Sequence, residues 1–166
     1  MPARMNDPQA RDRPPGPRPQ PRPVAPAPGR FGVLFGGAGL LLPAGLACEF
    51  VDEAEVHPVP GAPSRLRGLM QRQGRPLPVF GSSPARSFGR QRLRVLVIDE
   101  GRNAAALEID FPPEPVDPVD ACDAATPCPP ACPPGALERA WRCAGHEEMF
   151  WEFDPGRLFE LLGGCR

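Results

Sequence analysis

Six cysteines and two histidines are the side chains of this 166-residue chain best suited to bind a metal, form a disulfide or act in catalysis. Four of the cysteines lie in one stretch, at positions 122, 128, 132 and 143. Their spacing contains no Cys-x2-Cys pair of the kind that builds a compact zinc site. Disulfides are typical of oxidising compartments, whereas cytosolic thiols stay reduced. We interpret the four as loop cysteines. A small domain stabilised by zinc or by a disulfide, using cysteines of the loop from Cys122 to Cys143, is an alternative.

The two histidines give no sign of catalysis. His57 lies in a proline-flanked extended stretch, and His146 lies in a predicted turn. A Ser–His or Cys–His pair also needs an orienting group and an oxyanion donor, and no local pattern supplies them. The glycine-rich run 36–39 is not followed by Gly-Lys-Ser/Thr, so it is not a phosphate-binding loop. The sequence predicts no catalytic residue, no metal, no cofactor and no enzyme activity.

Proline divides the chain into segments. Of the 27 prolines, ten lie in residues 1–29 and nine in residues 112–134. Residues 1–29 contain almost no large apolar side chain and are predicted to be a disordered, Pro/Arg-rich leader. Residues 30–164 are predicted to form one domain, with a Pro/Cys-rich surface loop at about 112–135.

Charge is distributed unevenly along the chain. Residues 1–30 carry six Arg against two Asp, which gives +4, and the net charge of −1 leaves −5 for the remainder. A mildly acidic body argues against nucleic acid as a partner. The apolar run 31–50 is interrupted by glycine and proline and is too short to span a bilayer, so no direct membrane insertion is expected.

Short strands dominate the predicted domain. Alternating apolar residues and turn signals predict strands at residues 31–35, 40–42, 48–52, 91–98, 104–109, 141–144 and 149–153. Residues 99–103 are predicted to form a hairpin turn, and residues 136–140 a helical turn. A C-terminal helix begins after the N-cap Asp154. Cys48 is predicted to be a small buried residue in its strand.

The run 31–50 also permits a different interpretation. It follows a basic leader and contains Gly45-Leu46-Ala47-Cys48, which partly resembles the export signal of a lipoprotein lipidated at Cys48. The leader is long for a signal peptide, and Gly45 stands where a leucine is usual. An exported lipoprotein is therefore retained only as an alternative.

Residues 56–80 are the stretch around which the domain is organised. Pro58 and Pro60 favour extended backbone, and Pro63 suits the first turn of a helix. Leu66, Leu69 and Met70 have helical spacing, so a short helix is predicted over residues 64–70. Residues 75–80 are extended, and their two prolines predict an edge strand or a strand end.

The same stretch resembles the central signature of the CheW-like family, the adaptor module of bacterial chemosensory arrays. The matching pattern is P-G-A-P-x-x-L-x-G-L-x-x-x-x-G-x-x-L-P-V, from Pro60 to Val79. The resemblance implies an all-β fold of two small antiparallel SH3-like β-barrel lobes, with a C-terminal helix. It also implies a non-enzymatic cytoplasmic scaffold associated with membrane receptor arrays, in a general or a specialised motility or type IV pilus system. Its partners would be the regulatory domain of a chemotaxis-type histidine kinase and the cytoplasmic tip of a methyl-accepting receptor.

The resemblance also suggests contact residues. The family has an Arg at the position of Gln73 that can pair with a Glu at the position of Glu49, so Gln73 is predicted to replace an ion pair. Phe80 stands where the family has an acidic residue. Four arginines from Arg65 to Arg75 are predicted to form a basic rim that steers an acidic partner helix. The predicted partner-binding residues are Glu49, Arg65, Arg67, Gly68, Gln71, Gln73 and Gly74.

Overall fold

The computed structural model describes residues 30–84, 89–98, 103–123 and 125–164. Within these ranges it contains eleven strands and one helix, and the predicted leader 1–29 lies outside them. The elements are β1 (Arg30–Phe35), β2 (Ala38–Leu41), β3 (Cys48–His57), β4 (Leu66–Arg72), β5 (Arg75–Phe80), β6 (Gln91–Ile98), β7 (Ala105–Glu108), β8 (Glu114–Val116), β9 (Pro118–Ala121), β10 (Leu137–Cys143), β11 (Met149–Phe153) and α1 (Pro155–Leu162).

The first and last strands of the chain form one sheet, here called lobe 1. Its strand order is β8-β1-β2-β11-β10-β9. The two outer strands, β8 and β9, are separated in the chain by Asp117 alone. The backbone carbonyl of Asp117 accepts a hydrogen bond from the N–H of Ala144, at 2.9 Å. One residue therefore connects the two outer strands of the sheet.

The middle strands form lobe 2, a closed barrel with strand order β3-β4-β5-β7-β6. Strand β6 shows how the two lobes share residues. Val95 and Val97 face the interior of lobe 2, whereas Leu96 and Ile98 face a core between the lobes. This alternation is the one predicted from the sequence, and closing the barrel leaves no unpaired edge for aggregation.

The inter-lobe core contains side chains from both lobes and from α1. Leu158 and Leu162 bury one side of the helix against it. The side chain of Asp154 caps the helix by accepting a hydrogen bond from the backbone N–H of Arg157 at 2.6 Å, and Pro155 fills the first turn. The largest fully buried side chains of the described residues include Phe35, Phe150, Leu40, Leu41, Leu96, Ile98 and Leu107. The predicted mostly-β fold with a C-terminal helix is confirmed.

The predicted helix over residues 64–70 is wrong. A turn closed by the Leu66 N–H and the Pro63 carbonyl, at 2.9 Å, leads directly into β4. Gly68 and Met70, two residues apart, are buried, whereas Leu66 lies before a register shift and packs against the inter-lobe core. A helix of two turns is marginal by itself, and pairing with β3 and β5 outweighs it.

The Pro/Cys-rich segment is also more regular than predicted. It contains the short strands β8 and β9, at the two outer positions of lobe 1. Proline has no backbone N–H to donate, but the outer side of an outer strand has no partner strand to accept such a bond. Pro115 and Pro118 are therefore tolerated in β8 and β9. Further along, Ala131 and Cys132 are buried in the inter-lobe core. The segment is therefore partly a surface loop and partly a cover for the core.

The structure also tests three smaller predictions. The helical turn predicted at residues 136–140 is wrong, because residues 137–140 are part of β10, which pairs with β11. Cys48, at the start of β3, is exposed instead of buried. Residues 75–80 were predicted to be an edge strand or a strand end, whereas β5 lies between β4 and β7 in the closed barrel and pairs with β7 through Val79 and Phe80. The hairpin turn predicted at 99–103 lies almost entirely outside the described residues.

Candidate partner-binding surfaces

The hairpin between β4 and β5 places three predicted contact residues at one end of lobe 2. Gln73 and Gly74 form its two-residue turn, with positive φ angles of 49° and 78°. Such a turn matches the twist of the flanking strands and favours glycine at its second position. Gln71, Gln73 and Gly74 are all exposed. We call residues 71–75 the hairpin end.

Glu49 meets this hairpin end through an ion pair that the sequence analysis did not predict. The Nη2 of Arg72 donates to the Oε2 of Glu49, and the two side chains are 22% and 51% exposed. The cation beside Glu49 therefore comes from Arg72, one position before Gln73. Arg72 directly precedes Gln73 in the sequence, so the sequence already showed a cation that could pair with Glu49.

Arg65 connects three segments of the chain. Its Nη1 donates to the carbonyl of Ser82 at 2.9 Å and to the carbonyl of Ala131, and its Nη2 donates to the carbonyl of Pro130 at 3.3 Å. These bonds attach the Pro/Cys-rich segment to the start of β4. Arg65 therefore holds the fold together and has few donors left for a partner.

Arg67 is engaged within the protein as well. Its Nε donates to the Oε2 of Glu108 on β7, and its Nη2 lies 3.3 Å from the hydroxyl of Ser83. Its side chain is only 11% exposed and that of Glu108 is 28% exposed. The predicted basic rim is therefore not formed by Arg65 and Arg67, whose guanidinium groups serve internal contacts.

Gly68 is buried where β3 and β4 approach most closely. Its φ is +147°, and a Cβ atom added to it would lie 2.1 Å from the carbonyl oxygen of His57. The register between β4 and β5 shifts between Leu66 and Gly68, which marks a β-bulge. Gly68 therefore supports the shape of β4.

The predicted contact residues thus fall at two ends of one strand. Glu49, Gln71, Gln73 and Gly74 lie together at the hairpin end, whereas Arg65 and Arg67 lie at the opposite end of β4. At roughly 3.3 Å of rise per residue, the two groups are separated by on the order of 20 Å.

An apolar groove between the lobes was missed by the sequence analysis. It has a volume of about 360 Å³, and Phe31 beside it is 49% exposed. We call it the inter-lobe groove. It is lined by Arg30, Phe31, Leu42, Pro43, Ala44, Gly45, Leu46, Cys48, Phe50, Leu96 and Pro113. These residues come from four separate stretches of sequence, so periodicity within one stretch could not reveal the groove.

A second groove runs between β5 and the C-terminal helix. It has a volume of about 390 Å³, with Leu77, Phe80 and Phe159 on its apolar walls and Arg75 and Glu160 among its charged residues. The rings of Phe80 and Phe159 lie 5.8 Å apart, which attaches α1 to lobe 2.

The cysteines do not converge on one centre. In the part of the chain that the structure describes, all cysteines are free and no group of three or more His, Cys, Asp or Glu residues is placed to hold a metal. Cys132 lies in the inter-lobe core and Cys143 in the core of lobe 1. Burial raises the pKa of the Cys132 thiol to about 12, with the neighbouring Cys128 adding to the shift. A thiol with this pKa stays protonated and unreactive at neutral pH.

The histidines occupy unrelated positions. His57 is exposed and lies 3.8 Å from Glu55. His146 is partly buried, with its ring edge-on to Phe150 at 5.2 Å and its Nδ1 3.6 Å from Glu114. His57 therefore lies at the surface, whereas His146 contributes to packing in lobe 1.

A solved protein structure is similar to this architecture. No protein-family model and no curated protein sequence matches the chain. The crystal structure of the scaffolding protein TtCheW from Thermoanaerobacter tengcongensis is similar, with a TM-score of 0.57 over 81% of this chain and 94% of that chain, at 15% identity. The chain has the CheW fold.

The CheW fold confirms the architecture that the central signature implied, namely two β lobes with a C-terminal helix. At 15% identity the likeness establishes the fold alone. Among the described residues, no helix has both the length and the apolar character needed to cross a membrane.

Proposed function

We propose that this chain is a non-enzymatic scaffold that couples a chemotaxis-type histidine kinase to methyl-accepting receptors. The observation that carries the proposal is the CheW fold, which extends over 81% of the chain and is shared with a protein described as a scaffold. The central signature from Pro60 to Val79 supports it independently, because it forms β4, β5 and the turn between them.

A scaffold of this kind needs two accessible surfaces, and the structure offers candidates for both. The inter-lobe groove is concave and apolar, with Phe31, Leu46 and Phe50 on its walls. Grooves of this type accept the apolar face of an amphipathic helix. We assign it to the helical cytoplasmic tip of a receptor.

The hairpin end is polar and charged, and we assign it to the regulatory domain of the kinase. Glu49 and Arg72 are only partly buried there, and Gln71 and Gln73 beside them are exposed. Exposed polar pairs contribute more to partner choice than to affinity. In this assignment Arg65, Arg67 and Gly68 support the surface from within the fold.

The lipoprotein alternative meets a structural objection. Cleavage before Cys48 would remove β1 and β2, which contribute Val33, Phe35 and Leu40 to the inter-lobe core. Losing three such buried side chains would cost several kcal/mol, against a typical total stability of about 5–15 kcal/mol. The zinc or disulfide alternative lacks a shared centre for Cys122, Cys128, Cys132 and Cys143.

Pull-down of a receptor-tip peptide and of a kinase regulatory domain tests both assignments. Phe31→Glu should abolish receptor-tip binding and spare kinase binding, because it places a charge in the groove. The matched control is Val119→Glu, since Val119 is similarly exposed at 51% and does not line the groove. Equal loss in the two variants, or no loss in either, would overturn the assignment of the groove.

A charge swap tests the hairpin end. Glu49→Arg should weaken kinase binding because it sets two cations side by side, and adding Arg72→Glu should restore the ion pair and the binding. A double variant as weak as the single one would show that the pair itself does not shape the contact.

A further inference from the structure

We propose that the last part of the leader, residues 23–29, binds the inter-lobe groove of its own chain. The occupant is a named segment of this protein, and the groove is the apolar one defined above. The contact itself does not depend on the proposed function. Only its consequence, competition between the leader and a receptor tip, rests on that function.

The position where the leader ends is the first observation. Gly29 directly precedes Arg30 and Phe31, and both of these residues line the groove. The chain therefore enters the described fold at the groove itself. No linker has to be crossed for the leader to reach it.

The pairing of β1 with β2 shows which residues lie beside the start of β1. In the β1–β2 pair, Gly32 lies opposite Leu41 and Val33 opposite Leu40, and the Leu42 N–H donates to the Phe31 carbonyl at 2.8 Å. The chain then turns at residues 43–46, where the Leu46 N–H donates to the Pro43 carbonyl at 3.2 Å, so this turn lies next to the start of β1, which the leader precedes. Ala44, Gly45 and Leu46 all line the groove.

The composition of the segment matches the groove. Residues 23–29 read Pro-Val-Ala-Pro-Ala-Pro-Gly and carry no charge, whereas every Arg and Asp of the leader lies at position 22 or earlier. Three of the seven residues are proline, which has no N–H that would lose a hydrogen bond to water on burial. Proline-rich segments bind aromatic-lined grooves, and Phe31 and Phe50 supply aromatic rings here.

Connection through the chain makes a weak contact effective. A segment joined directly to its site has an effective concentration of roughly 1 mM, so a dissociation constant of about 0.1 mM would keep the groove occupied about nine-tenths of the time. A partner of higher affinity would still displace it. The leader would thus select for partners that bind the groove strongly.

Cys48 provides a reporter inside the groove. Its thiol is exposed and lines the groove, so its rate of alkylation measures how often the groove is open. The experiment uses the full-length chain with Cys122, Cys128 and Cys165 replaced by serine. The slow reaction of the buried Cys132 and Cys143 is then distinguished by mass spectrometry.

The test variant carries Ala25→Asp and Ala27→Asp, which place two charges in the proposed contact. The matched control carries Ala3→Asp and Ala10→Asp, which make the same chemical changes in the same leader, far from the groove. We expect iodoacetamide to alkylate Cys48 about tenfold faster in the test variant than in the native leader, and at the native rate in the control.

Equal rates in all three proteins, or an equal rise in both variants, would overturn the proposal. This readout involves no receptor, so its failure is distinguishable from failure of the proposed function. In a second measurement, a receptor-tip peptide should bind the test variant more tightly than the control. If the alkylation result is as expected and the peptide binds neither protein, the leader contact stands and the receptor assignment fails.

Discussion

Replacing Gly68 with alanine tests whether this residue of the central signature serves the fold. Its φ of +147° is a backbone conformation that residues with a side chain rarely adopt. Holding such a conformation costs about 1–3 kcal/mol. The added methyl group would also lie 2.1 Å from the His57 carbonyl oxygen, whereas ordinary contact begins near 3.4 Å.

The collision falls on backbone, so a side-chain movement cannot relieve it. β3 and β4 are paired through Val56 opposite Met70 and His57 opposite Leu69, and moving the strands apart would break these bonds. With about 1 kcal/mol for each lost hydrogen bond, the total cost of Gly68→Ala is on the order of 3–5 kcal/mol. This is a large part of the stability of a typical domain.

Urea denaturation followed by the fluorescence of Trp141 and Trp151 measures the effect. Gly74→Ala is the matched control, because Gly74 also has a positive φ, of 78°, but its added methyl group would meet no atom within 4 Å. It should cost only about 1–2 kcal/mol. Equal losses of stability in the two variants would refute the collision argument and return Gly68 to the candidates for direct partner contact.

Three further outcomes follow from the same structure. Arg67→Ala should lower the free energy of unfolding by about 2 kcal/mol in urea titrations. This loss is smaller than the loss expected for a fully buried ion pair, because Glu108 is partly exposed. A change below about 0.5 kcal/mol would contradict a structural role for Arg67. The native chain should be more stable than Cys132→Ala by a constant amount below pH 8, and this difference should shrink above pH 9. Burial raises the thiol pKa of Cys132 from 9.0 to about 12, so the thiol of the unfolded chain loses its proton at lower pH than that of the folded chain. A constant difference up to pH 11 would contradict this reasoning. Gln73→Arg should tighten kinase binding in pull-downs by adding a second cation near Glu49, and unchanged binding would count against that reasoning.

The strands could be predicted from sequence where alternation was clear. β6 was predicted with its full length from its alternating apolar residues, and in the structure Val95 and Val97 are buried in a different core from Leu96 and Ile98. The cap of α1 was equally clear, because Asp154 and Pro155 act within one turn of the chain. Signals of this kind are local, and tertiary structure did not alter them.

The predictions failed where distant segments decide the local structure. The stretch 64–70 fits a helix by spacing alone, and only its pairing with β3 and β5 makes it a strand. Pro115 and Pro118 argued against any strand, and only the position of β8 and β9 at the edges of lobe 1 makes them acceptable.

The candidate site shows the same division. The hairpin end could be located from its Gln-Gly turn and from the signature around it. The internal roles of Arg65 and Arg67 depend on Ala131 and Glu108, which are more than 40 residues away in sequence. The inter-lobe groove likewise exists only once the two lobes are assembled.

The most direct test of the scaffold proposal is whether one molecule of this protein holds both partners at once. Purified full-length chain would be mixed with a receptor-tip peptide and a kinase regulatory domain, and the mass of the complex would be measured by light scattering after size exclusion. We expect a complex containing all three components, and we expect Phe31→Glu to lose only the receptor tip. Binding of neither partner, or binding of each only in the absence of the other, would contradict it.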